Sequence, residues 1–191
     1  RSERAGTQPL QVTKQELRDR LLDVFASRGF EGATITEIAR AVGLGKASLY
    51  HHFPGGKREM ADVLVRDACE RLSRAVLAPL RAPDPPETRI VGMVDGMRGY
   101  VLDGERNCLL AVLSLGSVRS HFADPIGRQV EQWIELLGQT LVDAGTPRKA
   151  ARRKARDAVT RIHGSLVVSR MLGDTKAFRQ TLKRLPEQLL P

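Results

Sequence analysis

Cysteine and aromatic residues are scarce in this sequence. Only 4% of its 191 residues are aromatic, and its two cysteines, Cys69 and Cys108, belong to no Cys-x-x-Cys or Cys/His pattern. This usage gives neither a disulfide framework nor a zinc site, so we expect each thiol to be a small buried hydrophobe. We also expect no metal and no other cofactor. Few aromatics and almost no alternating β-branched runs argue against a β-sheet protein.

Long hydrophobic runs are also missing. No apolar stretch approaches the roughly 18 residues of a membrane-spanning helix, and no basic segment leads into an apolar one as in a secretory signal. We therefore expect a soluble, cytoplasmic protein with no membrane partner. The residues suited to catalysis (Cys108, His121 and His163) are scattered, without a Ser/His/Asp or paired-carboxylate arrangement, so we do not expect an enzyme.

Positive charge is abundant but unevenly placed. The formal net charge is +9, and residues 146–191 alone hold 12 Lys and Arg against 3 Asp and Glu. Net charge suits a polyanionic partner but does not locate its binding site. Five of these cations form a stripe at helical spacing, which is either a solvated face or a second nucleic-acid contact: Arg148, Lys149, Arg152, Arg153 and Arg156.

The segment from Thr34 to Lys57 has the spacing of a helix-turn-helix. Thr34-x-x-Glu37 is a capping box that starts a short helix. Counted from Ala39, a turn glycine follows at Gly43, and apolar residues follow at Leu44 and Leu49. A glycine in the turn permits positive φ, and the two leucines fix the second helix at a steep angle to the first. Two ordinary amphipathic helices joined by a glycine turn would share this apolar spacing.

The side chains of the second helix distinguish these two interpretations. Apart from Leu49, the helix from Lys46 to His52 carries short, polar or cationic groups, which reach base edges and phosphates rather than sealing a core. We predict that Thr36 and this helix enter the major groove. The predicted base contacts are Lys46, Ala47, Ser48 and His51, and the predicted phosphate contacts are Thr34, Tyr50, His52 and Lys57.

The string GLGKASLYHHFPGGK resembles the DNA-binding signature of the tetracycline-repressor (TetR) family of bacterial regulators. Two positions depart from the signature: Gly45 replaces the usual Ser or Thr cap, and the turn before Lys57 is one residue longer. The resemblance implies an all-α dimer that binds operator DNA and a small-molecule effector. The segment Asn107-Cys108-Leu109-Leu110 with the Pro-Gly-Gly-Lys turn is similar to the LmrA-like branch, whose members respond to hydrophobic multidrug-type or flavonoid-type compounds.

Helical periodicity and its interruptions predict an all-α protein of about nine helices. A second capping box, Thr13-x-x-Glu16, starts the first helix, which ends near Gly29. Residues 81–87 are a proline-rich linker, and Asp124-Pro125 is one of the later predicted breaks. We assign residues 1–12 to a flexible arm, 13–57 to the helix-turn-helix DNA-binding domain and 58–191 to a larger helical ligand-binding and dimerisation domain.

The larger domain contains candidate residues for a hydrophobic effector pocket. Met adapts its shape, Trp and Tyr stack and donate hydrogen bonds, and His donates or accepts. Residues of these types at helical spacing also form ordinary cores, and His163 is either a satisfied core histidine or a ligand contact. The candidates are Met93, Met97, Tyr100, Leu109, Leu113, Phe122, Trp133, Leu137 and His163.

Two apolar stripes near the end of the chain predict a homodimer. A pair of helical stripes suits a four-helix interface across a two-fold axis, and a short recognition helix needs two half-sites. The stripes comprise Ala158, Ile162, Leu166, Val167 and Met171, then Phe178, Leu182, Leu185 and Leu189. Taken with these features, the resemblance to the TetR family implies a repressor that binds a pseudo-palindromic operator and is released by a small hydrophobic effector. The alternative is a ligand-independent DNA-binding protein with no cavity in residues 87–172.

Overall fold

The computed structural model describes residues 13–190, which form nine helices and no strand. The all-α prediction is therefore confirmed, while the arm predicted at residues 1–12 lies outside the described residues. The helices are α1 (Lys14–Gly32), α2 (Ile35–Val42), α3 (Lys46–His52), α4 (Gly56–Leu72, extended by a π-helical turn Ser73–Leu77 and by Ala78–Arg81), α5 (Pro86–Tyr100), α6 (Leu109–Leu113), α7 (Arg119–Asp143), α8 (Arg148–Leu172) and α9 (Lys176–Leu189). Within this range, no helix has the length and apolar character needed to cross a membrane.

Helices α1 to α3 form a small head closed by the first half of α4. Both predicted capping boxes are present, at Thr13 and at Thr34. Helix α1 is broken at Gly29, whose φ of 70° and ψ of −178° are not helical. Phe25 and Ile38 are fully buried in this head, and Met60 of α4 packs into the same core.

Helix α4 links the head to the rest of the molecule and changes its winding on the way. Pro79 has no N–H for the carbonyl of Ala75, four residues earlier, and the preceding residues Ser73–Leu77 widen into a π-helical turn. Helix α5 crosses at this point. A Cβ at Gly96 would overlap the Ala75 carbonyl oxygen, so only glycine permits this crossing.

The body of the protein consists of α5, α7, α8 and α9 around a second part of the core. Helices α7 and α8 are 25 residues each and pack along each other, and α9 packs against α8 and α5. Trp133 of α7 is fully buried at the centre of this packing. The body therefore supplies most of the apolar burial that the small head lacks.

The predicted break at Asp124-Pro125 is wrong. Helix α7 begins at Arg119 and continues through Pro125, because Phe122 and Ile126 are buried on either side of the proline and hold the helix against the core. The true break comes earlier, since α6 ends at Leu113 instead of near residue 120. There Glu31 of α1 accepts hydrogen bonds from the backbone N–H (2.7 Å) and the hydroxyl of Ser117.

The two stripes predicted for the dimer interface serve mainly this chain's own core. Residues of the second stripe, from Phe178 to Leu189, are at most 1% exposed because α9 packs on α8 and α5. In the first stripe, Ala158, Ile162 and Leu166 are also buried. What α8 leaves on the surface is an apolar patch near its carboxyl end, consisting of Val167, Val168, Met171 and Leu172.

Candidate nucleic-acid interface and effector cavity

The turn between α2 and α3 fixes the position of the second helix. Gly43 adopts the left-handed conformation (φ 72°, ψ 27°) that the sequence predicted for a turn glycine. The Leu44 N–H donates to the Ala39 carbonyl at 3.0 Å, which closes the end of α2 as a Schellman motif. Leu49 is fully buried below this turn, so the rest of α3 projects outward.

The outward face of α3 contains the residues predicted to contact DNA. Leu49 is the single buried residue of the helix, and Gly45 provides no side-chain cap, as its identity predicted. Eight of the nine predicted contacts are exposed: Thr34, Thr36, Lys46, Ala47, Ser48, Tyr50, His51 and His52. The structure thus brings the predicted base-contacting side chains together on one accessible helix of about two turns.

Two predicted phosphate contacts are engaged within the protein. The Lys57 ammonium donates to the Phe30 carbonyl at 2.7 Å and lies 4.4 Å from the centre of the Phe30 ring. The Thr34 hydroxyl accepts from the Glu37 N–H and donates to the Glu37 carboxylate. Lys57 therefore joins α4 to the end of α1 in this structure, and Thr34 starts α2; the geometry does not favour either one as a phosphate ligand.

A cavity of about 410 Å³ lies in the body between α6, α7 and α8. Its wall is mostly apolar, and Arg156 and Thr160 stand at its exposed edge. It is lined by Leu72, Cys108, Leu110, Ala111, Ser114, Ile126, Val130, Trp133, Ile134, Arg156, Val159, Thr160 and His163. We call this the effector cavity, after the role that the sequence predicts for such a site. Two of the predicted ligand residues, Trp133 and His163, line it, and their rings meet edge to face at 5.8 Å.

The other predicted ligand residues lie elsewhere. Tyr100 and Leu109 line a second cavity of about 370 Å³ beside α4, and Phe122 borders an open groove next to α7. The remaining four are plain core residues, with at most 1% of their surface exposed: Met93, Met97, Leu113 and Leu137. Met93 nevertheless supports the effector cavity from behind, because its sulfur accepts a hydrogen bond from the Trp133 indole at 3.2 Å.

Sequence reasoning missed the polar pair inside the effector cavity. Cys108 was expected to be an inert buried thiol, yet it lines the same cavity as His163. Burial opposes ionisation of Cys108, but the nearby imidazole of His163 outweighs it and lowers the pKa of the thiol. Burial likewise disfavours the cationic imidazole, while the nearby Cys108 sulfur and the hydrogen bond to the Val159 carbonyl raise the pKa of His163. No local sequence signal pairs these residues, since they line the same cavity from segments that are distant in sequence.

Residue Asn107, next to Cys108, connects the body to the head. Its side-chain N–H donates to the Ala26 carbonyl of α1 at 2.9 Å, and its side-chain oxygen accepts from two nitrogens of Arg170 in α8 at 2.9 and 3.2 Å. The segment just before it is strained, because Leu102 and Asp103 have φ values of 49° and 53°.

The predicted basic stripe borders an open groove of about 1020 Å³ between α7 and α8, which adjoins the effector cavity at Ile134 and Arg156. Its five cations, from Arg148 to Arg156, stand along one wall above an apolar floor that includes Ile134 and Val142. Glu131 pairs with Arg152 at 2.5 Å and with Arg156 at 3.8 Å, so part of the charge is balanced within the protein. Whether this stripe contacts nucleic acid stays a prediction.

A head that presents a short polar helix from a tight glycine turn, joined to a helical body, defines the helix-turn-helix class of regulators. Comparison with known proteins agrees with this class. Residues 17–64 match the family model described as "Bacterial regulatory proteins, tetR family". Residues 86–184, about half of the chain, match the one described as "Transcriptional regulator LmrA/YxaF-like, C-terminal domain".

Individual relatives agree as well. IcaR of Staphylococcus aureus, a negative transcriptional regulator of the biofilm operon icaADBC, is 39% identical over 128 residues, covering 67% of each chain. AcnR of Corynebacterium glutamicum, a transcriptional repressor, is 29% identical over 131 residues, which cover 69% of this chain and 61% of AcnR, so less than two thirds of AcnR is matched. A TetR regulator of Legionella pneumophila shares the fold, with a TM-score of 0.75 at 18% identity over 96% of this chain and all of that one.

This chain therefore belongs to the TetR family of transcriptional regulators. Its larger domain is of the LmrA/YxaF type, which confirms the resemblance seen in the sequence.

Proposed function

We propose that this protein is a repressor that binds a pseudo-palindromic operator as a homodimer and leaves it when a small hydrophobic effector binds. The observation that carries the proposal is the exposed face of α3, which presents Lys46, Ala47, Ser48 and His51 around the single buried anchor Leu49. Lys donates to guanine O6 and N7, and Ala contacts a thymine methyl group. We assign Tyr50 and His52, which are exposed on the same helix, to phosphate contacts.

The apolar patch of α8 supports the homodimer. Val167, Val168, Met171 and Leu172 are 52%, 43%, 79% and 68% exposed, an unusual concentration of large apolar side chains on one helix end. Gly164 is exposed one turn before the patch, where a small residue permits close helix approach. A two-fold contact of this patch with its copy gives the isologous interface that symmetric dimers use.

The effector cavity supports the ligand response. A volume of about 410 Å³ lies within the range of small-molecule sites, and a few polar groups, Cys108, His163 and Thr160, interrupt its apolar wall. A ligand-independent DNA-binding protein would not need such a cavity. The names of the relatives AcnR, a repressor, and IcaR, a negative regulator, support repression over activation.

The contacts between head and body supply a route from effector to DNA. Besides Asn107, three ion pairs join α1 to α4 and to the segment before α6: Arg18–Asp67, Arg71–Asp19 and Arg106–Asp23, at 3.3, 2.6 and 3.0 Å. An effector that binds more tightly when the segment around Cys108 has moved would shift these contacts. The spacing of two heads in a dimer would then no longer match successive major grooves.

The test is a selection of genomic fragments with purified protein, repeated with a panel of lipophilic compounds. A recovered palindrome whose binding is lost with one compound class would support the whole proposal. A palindrome that no compound releases would favour the ligand-independent alternative. A preparation that enriches no sequence at moderate salt would contradict operator binding. Sedimentation analysis of the same preparation tests the dimer.

A further inference from the structure

The effector cavity contains a nucleophile and a proton carrier that ligand binding alone does not require. We propose that this cavity is a covalent site: the Cys108 thiol adds to apolar electrophiles of the α,β-unsaturated carbonyl class, and His163 carries the proton. The inference deepens the proposed function, on which it rests, by naming the chemistry of the effector.

The position of Cys108 favours apolar reagents. The residue is 4% exposed and lines the effector cavity, so a reagent reaches its sulfur through that cavity. The wall along this path is formed by aliphatic and aromatic side chains, including Ile126, Val130 and Trp133. A charged or strongly hydrated electrophile would lose its hydration there without compensation, whereas an apolar one would gain by burial.

His163 is held in the orientation that the reaction needs. Its Nδ1 donates to the Val159 carbonyl at 3.0 Å, which leaves Nε2 as the nitrogen that can take a proton from Cys108, a residue lining the same cavity. Trp133 packs edge to face against the imidazole and restrains the ring. A thiol beside an imidazole ionises more readily, and the thiolate is the nucleophilic form.

The reaction balances without any oxidant or reductant. The thiol proton passes to His163, and the sulfur electron pair forms a bond to the β-carbon of the electrophile. The carbon–carbon π electrons move to give an enolate on the carbonyl oxygen. The His163 imidazolium then returns the proton to the α-carbon, which leaves a saturated thioether and a neutral imidazole.

An adduct at this position bears directly on the head. Cys108 follows Asn107, whose side chain holds Ala26 of α1 and Arg170 of α8. New atoms bonded to the sulfur would have to be accommodated in a cavity bounded by α6, α7 and α8. Displacing this segment would break the Asn107 contacts, which gives the adduct different free energies in the DNA-bound and free conformations.

The chain contains its own comparison thiol. Cys69 lies on α4, is only partly buried and lines the open groove beside α7. Burial is the largest of the effects that raise the pKa of this thiol. If exposure alone decided reactivity, Cys69 would react faster than Cys108. The raised pKa of Cys69 and the position of His163 near Cys108 predict the opposite order.

The test uses N-ethylmaleimide, a small apolar member of this electrophile class, with intact-mass spectrometry of the full chain at pH 6 to 8. We expect the Cys69→Ser variant to acquire one adduct at the wild-type rate, and the Cys108→Ser variant to react more than about tenfold more slowly. The His163→Gln variant should slow the reaction at Cys108 and move its pH dependence upward. Peptide mapping of the wild type supplies the same ratio of the two thiols if a variant does not fold.

Equal or faster labelling of Cys69, or an unchanged pH profile in His163→Gln, would overturn the covalent site. These readouts need no DNA, so they stand apart from the proposed function. A mobility-shift assay on the selected operator then tests the signal: binding should be lost on labelling in wild type and Cys69→Ser and retained in Cys108→Ser. Labelled wild type that still binds its operator would overturn the effector role.

Discussion

Asn107 and Ala26 are joined by a hydrogen bond of 2.9 Å, from the side-chain amide of the first to the backbone carbonyl of the second. The bond links the segment before α6, in the body, to α1 of the head. Because the same side chain also binds Arg170, one residue connects three parts of the fold. Cys108, which follows it in the chain, lines the effector cavity.

Replacing Asn107 should therefore uncouple the head from the body. We expect Asn107→Ala to lower the free energy of unfolding by about 1–3 kcal/mol, since polar groups on both sides lose their partner. Asn107→Asp is the matched control, because a carboxylate still accepts from Arg170 but has no N–H for Ala26. Urea unfolding measures stability, and operator release by effector measures coupling. If Asn107→Asp kept both at wild-type values, the Ala26 contact would have no role in coupling.

Gly96 should tolerate no larger residue. A Cβ at this position overlaps the Ala75 carbonyl oxygen of α4, so Gly96→Ala must push the two helices apart. We expect a loss of at least about 1–3 kcal/mol, the usual range for overpacking. Gly99→Ala, on the same helix, meets no atom within 4 Å and should be neutral or stabilising by up to about 1 kcal/mol. Thermal unfolding of both variants measures these two changes in stability. Equal changes would show that helix propensity, and not close packing at Gly96, determines the effect.

Lys46 and Tyr50 should have different effects on DNA binding. Lys46→Ala should cost about 1–3 kcal/mol and relax discrimination at one base pair per half-site. Tyr50→Phe should weaken binding equally on all sequences, because it removes a phosphate hydrogen bond only. Binding titrations on the operator and on single-base variants separate these outcomes. A sequence-selective loss in Tyr50→Phe would contradict its assignment to phosphate.

Met171→Glu should dissociate the dimer. It places a charge in the apolar patch of α8, where a two-fold contact would bring two such charges together in a desolvated interface. Leu115→Glu is the matched control, since Leu115 is 84% exposed and lies outside the patch. Sedimentation velocity should show a monomer for the first and the wild-type species for the second. A dimeric Met171→Glu protein would place the interface elsewhere.

Acid should weaken the contact between Glu31 and Ser117. Hydrogen bonds from the Ser117 hydroxyl, from the backbone of Glu31 itself and from the Ser117 N–H lower the pKa of the Glu31 carboxyl. Because the folded pKa lies below the unfolded one, the stability gained is present above about pH 4.3 and is lost as the pH falls through the folded value. Glu31→Gln should thus lower the melting temperature at pH 7 and flatten its decline between pH 5 and 3.

Glu135→Gln is the control for this measurement, because Glu135 is an exposed carboxylate that forms no ion pair within residues 13–190. Its melting temperature should follow the wild-type curve at every pH. If the melting temperatures of Glu31→Gln and Glu135→Gln fell equally with acid, the loss of stability would not come from Glu31.

Local chemistry made the head predictable. The two capping boxes, the turn at Gly43 and the uncapped Gly45 each depend on residues within a few positions of one another, and all appear as the sequence indicated. Periodicity likewise gave the number of helices. These features could be predicted without knowing which helix faces pack against each other.

The errors come from contacts between distant residues. Pro125 was expected to end a helix, but burial of its neighbours Phe122 and Ile126 outweighs the missing hydrogen bond. Phe178 and the other residues of its stripe are buried in the core of this chain. Helical spacing identifies an apolar face but does not tell whether it packs within the chain or against a second copy. Lys57 and Cys108 show the same limit, since Phe30 and His163, their partners, are remote in sequence.

The wide turn of α4 also sets the angle between its two ends. Large or small apolar residues recur at every fourth position, and all are buried: Met60, Leu64, Ala68, Leu72, Val76 and Leu80. In a regular α-helix such a row would drift around the axis by about 40° at each step, so its last members would face nearly away from its first. Unwinding at Ser73–Leu77 offsets part of that drift. One continuous row can thus pack first against the head and then against the body. The orientation of the head relative to the body therefore depends on the winding of the five residues Ser73–Leu77.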